Sequence, residues 1–327
     1  MKTLFLTLFA AVTAAFALSS CDTHEPNEPG LLVPLTVDED PSLPSIFVNG
    51  TQLHAETFGN PNNPMLVVLH GGPGGDYRSL LNCSRFSADS FFVVFYDQRG
   101  SGLSKRHDPS TITTQIFIDD LDAVINYYSS SPSQKIILLG HSWGAMLATA
   151  YINEYPNRID GIILIEPGAF TWEATKKYIE KERTLDPFGE SSNDFVYLDQ
   201  IITGSDHNTL DYKAALQNAA DFSKGNHVGN PGPYPFWRFG AVCTKAAFEY
   251  VKEHSFDFTT NLSQYTTKVL FVYGALNEVY GTTHAQEVAA AYPNVQLAEI
   301  KKTGHEVAYF GWDNFYPVAI AYLNTIK

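Results

Sequence analysis

Residues 136–151 constrain this chain more than any other stretch. The apolar run Ile136-Ile137-Leu138-Leu139 leads directly into Gly140-His141-Ser142-Trp143-Gly144, then into the helix-forming Ala145-Met146-Leu147-Ala148-Thr149-Ala150-Tyr151. A buried strand that turns at once into a helix needs a sharp corner, and the corner residue is held in a strained conformation. Glycine is required two positions either side of the serine, because strand and helix pass too closely there for side chains. The serine hydroxyl then projects above the sheet, which is where a nucleophile is used.

The remaining pattern supplies the sheet. Residues 65–69, 91–96, 136–139, 162–165 and 269–273 are continuous apolar runs. Continuous rather than alternating runs imply burial on both faces, hence a mostly parallel central sheet flanked by helices, an α/β fold. Ile46-Phe47-Val48 and Leu53-His54-Ala55-Glu56-Thr57 flank Asn49-Gly50 and predict a leading hairpin. Residues 295–300 read as the last strand, with a helix near 315–326. Between 167 and 263 no buried strand is visible. Helical segments over 172–183, 211–222 and 244–254 predict a cap inserted over the carboxyl ends of the strands, where ligands bind.

The amino-terminal residues read as export machinery rather than fold. Residues 1–20 carry Lys2 and then an apolar core, as in a signal peptide too short to span a bilayer. Leu18-Ser19-Ser20-Cys21 resembles a bacterial lipobox, so Cys21 is expected to carry lipid and hold the protein at the cell envelope. The expected organisation is a leader (1–20), a proline- and acid-rich tether (21–45), a core (46–166 and 264–327) and the cap (167–263). Without Lys2, one base fewer than the full chain's 21 stands against 35 acids. That balance argues against nucleic acid and against electrostatic binding to anionic lipid, leaving the lipid as the only membrane contact. Cys83 and Cys243 could pair in an oxidising compartment or remain separate thiols. Metal-ligand spacing is absent, so no metal or cofactor is expected.

Three further segments carry chemistry. His70-Gly71-Gly72-Pro73-Gly74-Gly75 follows the strand ending at Leu69, where a glycine lets the backbone approach a developing oxyanion. Gly72 and Trp143, the residue after the serine, are assigned as the two N–H donors. Asp97-Gln98-Arg99-Gly100-Ser101-Gly102 is read as structural, with Asp97 and Arg99 pairing. His305, just past the last strand, is placed to act as general base, since imidazole titrates near neutrality. In the cap, Trp237 and Arg238 are candidates to line the pocket, and Glu173, Glu180 and Glu182 to hold a substrate ammonium.

The loop 70–75, the segment 97–102 and the elbow with tryptophan after its serine resemble the prolyl aminopeptidase (proline iminopeptidase) family of the alpha/beta-hydrolase superfamily. The resemblance covers about residues 46–165 and 264–327. It implies an alpha/beta-hydrolase fold, a serine peptidase that removes an N-terminal residue without a metal, and cap carboxylates that grip the free ammonium. The chain departs from the family in its cap, where the family's tryptophan before a Trp-Glu pair has no match, since Trp172-Glu173 lies too near the preceding strand.

It departs again at the acid. The position after strand 269–273 that usually holds aspartate is Asn277, followed by Glu278. The strand before the cap ends in Glu166-Pro167, and there the stretch resembles some haloalkane dehalogenases, which place their acid at this point. Glu166 is the preferred acid, with Glu278 or Asn277 as alternatives. The function expected is a serine hydrolase working through an acyl-enzyme on a small peptide or acyl substrate, most simply an exported aminopeptidase. An esterase or amidase, and an inactive binding protein, are the competing readings. An epoxide hydrolase or dehalogenase would need aspartate where Ser142 stands. The oligomeric state is left open.

Overall fold

The structure, a computed structural model, describes residues 33–185, 203–220 and 228–327. The expected leader, Cys21 and the first part of the tether lie outside the described residues. Within them the chain builds an eight-stranded sheet in the order β1-β2-β4-β3-β5-β6-β7-β8. Strands β1 (Ser45–Val48) and β2 (Thr51–Phe58) form the leading hairpin. Its turn residues Asn49 and Gly50 both have positive φ, 43° and 70°, the requirement of the type I′ turn that Asn-Gly favours. β2 pairs antiparallel with β4 (Phe92–Tyr96), and every later pairing is parallel.

The parallel strands β3 (Met65–Leu69), β4, β5 (Ile136–His141), β6 (Gly161–Ile165) and β7 (Val269–Gly274) are buried at every residue. Their side chains alternate between two cores. Met65, Val67 and Leu69 pack with helices α1 (Thr114–Tyr128) and α2 (Trp143–Glu154) on one face. Leu66 and Val68 pack on the other face with a 3-10 run, Arg78–Asp89, and with residues of the C-terminal helix Trp312–Leu323. Burial on both sides is why these strands read as unbroken apolar runs. The last strand, β8 (Val295–Ile300), is the exposed edge and alternates less cleanly.

Between β6 and β7 the described residues form helices α3 (Trp172–Leu185), α4 (His207–Ala220) and α5 (Ala241–His254). Among the described residues of that region the only extended pairing is one isolated bridge, Thr171 to Asp257. The amino-terminal segment differs from the expected tether. From Pro34 onward it is docked: Thr36 and Val37 are buried, Val37 N–H donates to the Leu103 carbonyl at 2.8 Å, and Arg238 donates to the Pro34 carbonyl at 2.9 Å. Acidic, proline-containing sequence concealed this, because backbone carbonyls rather than a periodic apolar face make most of the contacts.

Candidate active site

The corner at Ser142 has the geometry its flanking glycines demand. Ser142 sits at φ 51°, ψ −120°, and its N–H donates to the Ile165 carbonyl at 2.8 Å. A Cβ on Gly140 would fall 2.4 Å from the Gly144 carbonyl oxygen, and one on Gly144 2.2 Å from the Leu69 carbonyl oxygen. Strand β5 therefore meets the start of α2, and α2 meets the end of β3, at distances that only glycine allows. Trp143 opens α2, so the positive end of the helix dipole lies at the serine.

The loop after β3 is fixed by a network of buried side chains. His70 is fully buried, and burial lowers its pKa, with the Asp97 charge and the Gly71 carbonyl acting in the opposite direction. Gln98 N–H donates to Nε2 of His70 at 2.9 Å, so the ring proton sits on Nδ1, which donates to the Gly71 carbonyl at 3.0 Å. The Gln98 side chain donates to the His70 carbonyl at 3.0 Å and accepts from the Trp143 indole at 2.9 Å. His70 and Gln98 thus lock the glycine loop to the residue after the serine. From the cap, Gly240 N–H donates to the Gly74 carbonyl at 2.7 Å, and the Thr244 hydroxyl donates to the Pro73 carbonyl.

Glu166 leaves β6 at φ 45°, an uncommon conformation for a glutamate. Its carboxylate is buried and accepts from three donors. Oε1 takes the Gly274 N–H at 2.6 Å, while Oε2 takes Asn277 Nδ2 at 2.8 Å and His305 Nδ1 at 2.6 Å. His305 is anchored through its backbone, its N–H donating to the Val228 carbonyl and its own carbonyl accepting from His141 Nε2 at 3.0 Å. The His141 and His305 rings lie 4.5 Å apart. Asn277, in the turn after β7, thus serves as a donor to the carboxylate of Glu166. Glu278 is exposed and lines a different cleft, with Glu173 and Tyr280.

Ser142, Gly72, Trp143, Glu166 and His305 all line one cavity of about 380 Å³. Its other walls are the facing sides of α3 and α5, together with Phe117 and Met146 from the core. Sequence reasoning missed these walls, although the signal was present. Trp172, Thr175, Lys176 and Ile179 on α3 follow the i, i+3, i+4, i+7 spacing of one helix face, and so do Thr244, Ala247, Phe248 and Val251 on α5.

Four expectations are corrected. Asp97 and Arg99 do not pair. Asp97 accepts from His54 Nδ1 at 2.8 Å and from the Leu103 and Tyr77 N–H groups at 2.8 and 3.1 Å. Arg99 instead grips Asp120 with two bonds, 2.8 and 2.7 Å, and so ties the hairpin turn to α1. Arg238 does not face the cavity: it is buried against Asp211 at 2.8 Å and Asn208 at 2.6 Å, since a guanidinium in the interior requires a carboxylate. Trp237 packs on His54 and Tyr77, with ring centroids 5.2 and 4.9 Å away. Glu173 points outward and pairs with Lys176 at 2.7 Å, whereas Glu180 does line the cavity. The side chain of Glu182 lies outside the described residues. Cys83 and Cys243 are separate buried thiols, their pKa values raised chiefly by burial.

This fold and this arrangement define a class. The alpha/beta hydrolase fold family matches residues 64–311, most of the chain, and the chain belongs to it. It is a hydrolase whose relatives include proline iminopeptidases. Proline iminopeptidase PfmaB of Pestalotiopsis fici is 25% identical over 278 residues, covering 80% of this chain and 92% of its own. The proline iminopeptidase of Saccharolobus solfataricus is 34% identical over 151 residues, 43% of this chain and about half (48%) of that one. The fold is also shared by an esterase from Exiguobacterium antarcticum, with a TM-score of 0.58 at 15% identity, covering 86% of this chain and 99% of the esterase.

Proposed function

We propose that the chain is a serine hydrolase with Ser142 as nucleophile, His305 as general base, Glu166 as acid, and Gly72 and Trp143 as oxyanion donors. The observation that carries this reading is the 2.6 Å contact between Glu166 and His305 Nδ1 in the cavity that holds Ser142 at its strained corner. In the first step Ser142 Oγ forms a bond to the substrate carbonyl carbon and gives its proton to His305. Glu166 steadies the resulting imidazolium, and backbone N–H groups receive the charge on oxygen. The bond to the amine or alcohol then breaks, and the leaving group takes the proton from His305. Water, deprotonated by His305 in turn, releases the acid and restores Ser142.

The relatives' names support release of an N-terminal residue from short peptides; export and a lipid at Cys21 rest on the leader-like residues 1–20 and the sequence Leu18-Ser19-Ser20-Cys21 alone. Glu180, the cap carboxylate in the described lining, is the residue to meet a free ammonium. A second reading, an esterase, is favoured by the apolar walls of the cavity. Turnover of aminoacyl p-nitroanilides beside their N-acetylated forms separates the two, with Ser142→Ala as the control. The variant should fold normally and lose several orders of magnitude in kcat. Near-normal turnover by Ser142→Ala would end the serine hydrolase reading, and equal cleavage of free and acetylated substrates would end the aminopeptidase one.

A further inference from the structure

We propose that the group Ser142 takes up is a large, uncharged, apolar acyl chain, seated between the facing sides of α3 and α5. The inference rests on the serine hydrolase reading, takes its esterase branch rather than the aminopeptidase one, and narrows the substrate. Trp172, Thr175 and Ile179 on α3, and Ala247, Phe248 and Val251 on α5, recur at helical spacing and all line the cavity that holds Ser142. Residues three and four apart share a helix face, so each helix presents one stripe to the ligand, and five of these six side chains are hydrocarbon or aromatic. The core side is closed by Phe117 and Met146, both buried.

Apart from Glu166 and His305, the charged residues of the lining reach solvent. Lys176 is half-buried and paired with Glu173, while Glu180 and Lys252 are exposed. Side chains of this length lay their stems along apolar wall and keep their heads in water. The remaining carboxylate in the described lining, Glu166, already accepts from three donors. A charged acyl group drawn inside would lose its hydration against hydrocarbon with little returned. A methylene drawn inside gains roughly fourfold in affinity. The volume, about 380 Å³, is that of a site enclosing a whole small ligand, and an acetyl group would leave most of it unused.

The test is kcat/KM for p-nitrophenyl acetate, butyrate, hexanoate and octanoate, with a hexanoate analogue carrying a terminal carboxylate, and fluorophosphonate labelling of Ser142 alongside. The expected result is a rise of roughly three- to fourfold per methylene up to hexanoate at least, and a loss of about tenfold or more on adding the terminal charge. Ala247→Phe should depress hexanoate at least about tenfold more than acetate, because it fills the space between the helices. Phe248→Ala, which opens the same wall, should move the best chain length upward, so a failure of the first variant to fold still leaves a decisive result. Labelled Ser142 with a flat or falling series, or equal losses on short and long esters in both variants, overturns the proposal and leaves the hydrolase reading standing. Unlabelled Ser142 with no ester cleaved overturns both.

Discussion

Replacing Glu166 with glutamine tests the acid assignment most directly. The substitution keeps the size of the side chain and removes its charge. The imidazolium formed at His305 then loses a carboxylate whose charge centre lies about 4 Å away, an interaction of about 4 kcal/mol at an effective dielectric constant near 20. At about 1.4 kcal/mol per tenfold, that alone slows turnover about a thousandfold. A second loss comes from geometry. Oε1 and Oε2 together accept from Gly274 N–H, Asn277 Nδ2 and His305 Nδ1, whereas the glutamine amide offers one acceptor oxygen and one NH2 group. If the NH2 faces His305, the ring is driven to the wrong tautomer. If it faces Gly274, a buried donor is unpaired at a cost of about 1–3 kcal/mol. The combined expectation is a fall of about a thousand- to ten-thousandfold in kcat with KM little changed. Steady-state hydrolysis of p-nitrophenyl butyrate measures it, and thermal melting should show a drop of only a few degrees. Glu278→Gln, altering an exposed residue on another cleft, should stay within about twofold of the parent enzyme. The reasoning fails if Glu166→Gln keeps more than about a tenth of kcat, or if the large loss appears in Glu278→Gln instead.

Two other outcomes follow, one from a buried carboxyl and one from the lipid proposed at Cys21. Asp76 accepts from the Arg78, Trp237 and Arg238 N–H groups at 2.9, 2.6 and 3.1 Å, and burial, together with the charge of Asp97, raises its pKa from 3.8 to about 7. The folded state therefore binds more protons than the unfolded chain across that interval, and this group's contribution to stability falls as pH rises from about 4 to about 7. The difference in Tm between about pH 5 and about pH 8 should shrink in Asp76→Asn, and an unchanged difference refutes the assignment. Cys21→Ser should move active enzyme from the membrane fraction to the soluble one, and retention in the membrane places the anchor elsewhere.

Much of the architecture was legible because burial on both faces writes itself into composition. The runs at 65–69, 136–139, 162–165 and 269–273 are built from aliphatic and aromatic residues and methionine alone, and each is a strand of the parallel sheet. The Asn-Gly hairpin and the glycine corner were legible for a different reason: only certain residues tolerate those backbone angles. The edge strand β8, with its mixed burial, was recognisable mainly by position. Side-chain partnerships were far less visible. Asp97 and Arg99 lie two residues apart, yet each found its partner in a different element, His54 and Asp120, because the strand ends at Tyr96 and beyond it residues i and i+2 no longer share a face. Arg238 sits among aromatic residues that suggested a pocket, and only the fold shows Asp211 reaching it from α4. The docked segment from Pro34 was hidden because hydrogen bonds to backbone carbonyls leave no residue-type signature.

The exchange between strands β6 and β7 has a consequence for how relatives of this chain are sorted. Neighbouring parallel strands end side by side, about 4.8 Å apart, so a carboxylate can move from one to the next and still reach the same imidazole. Here the asparagine left behind in the turn after β7 holds the newcomer in place. A screen that demanded aspartate at position 277 would file this chain among degenerate pseudoenzymes. The screen that matches the chemistry asks which strand ends can deliver negative charge to the ring of His305, and counts an amide beside it as a brace.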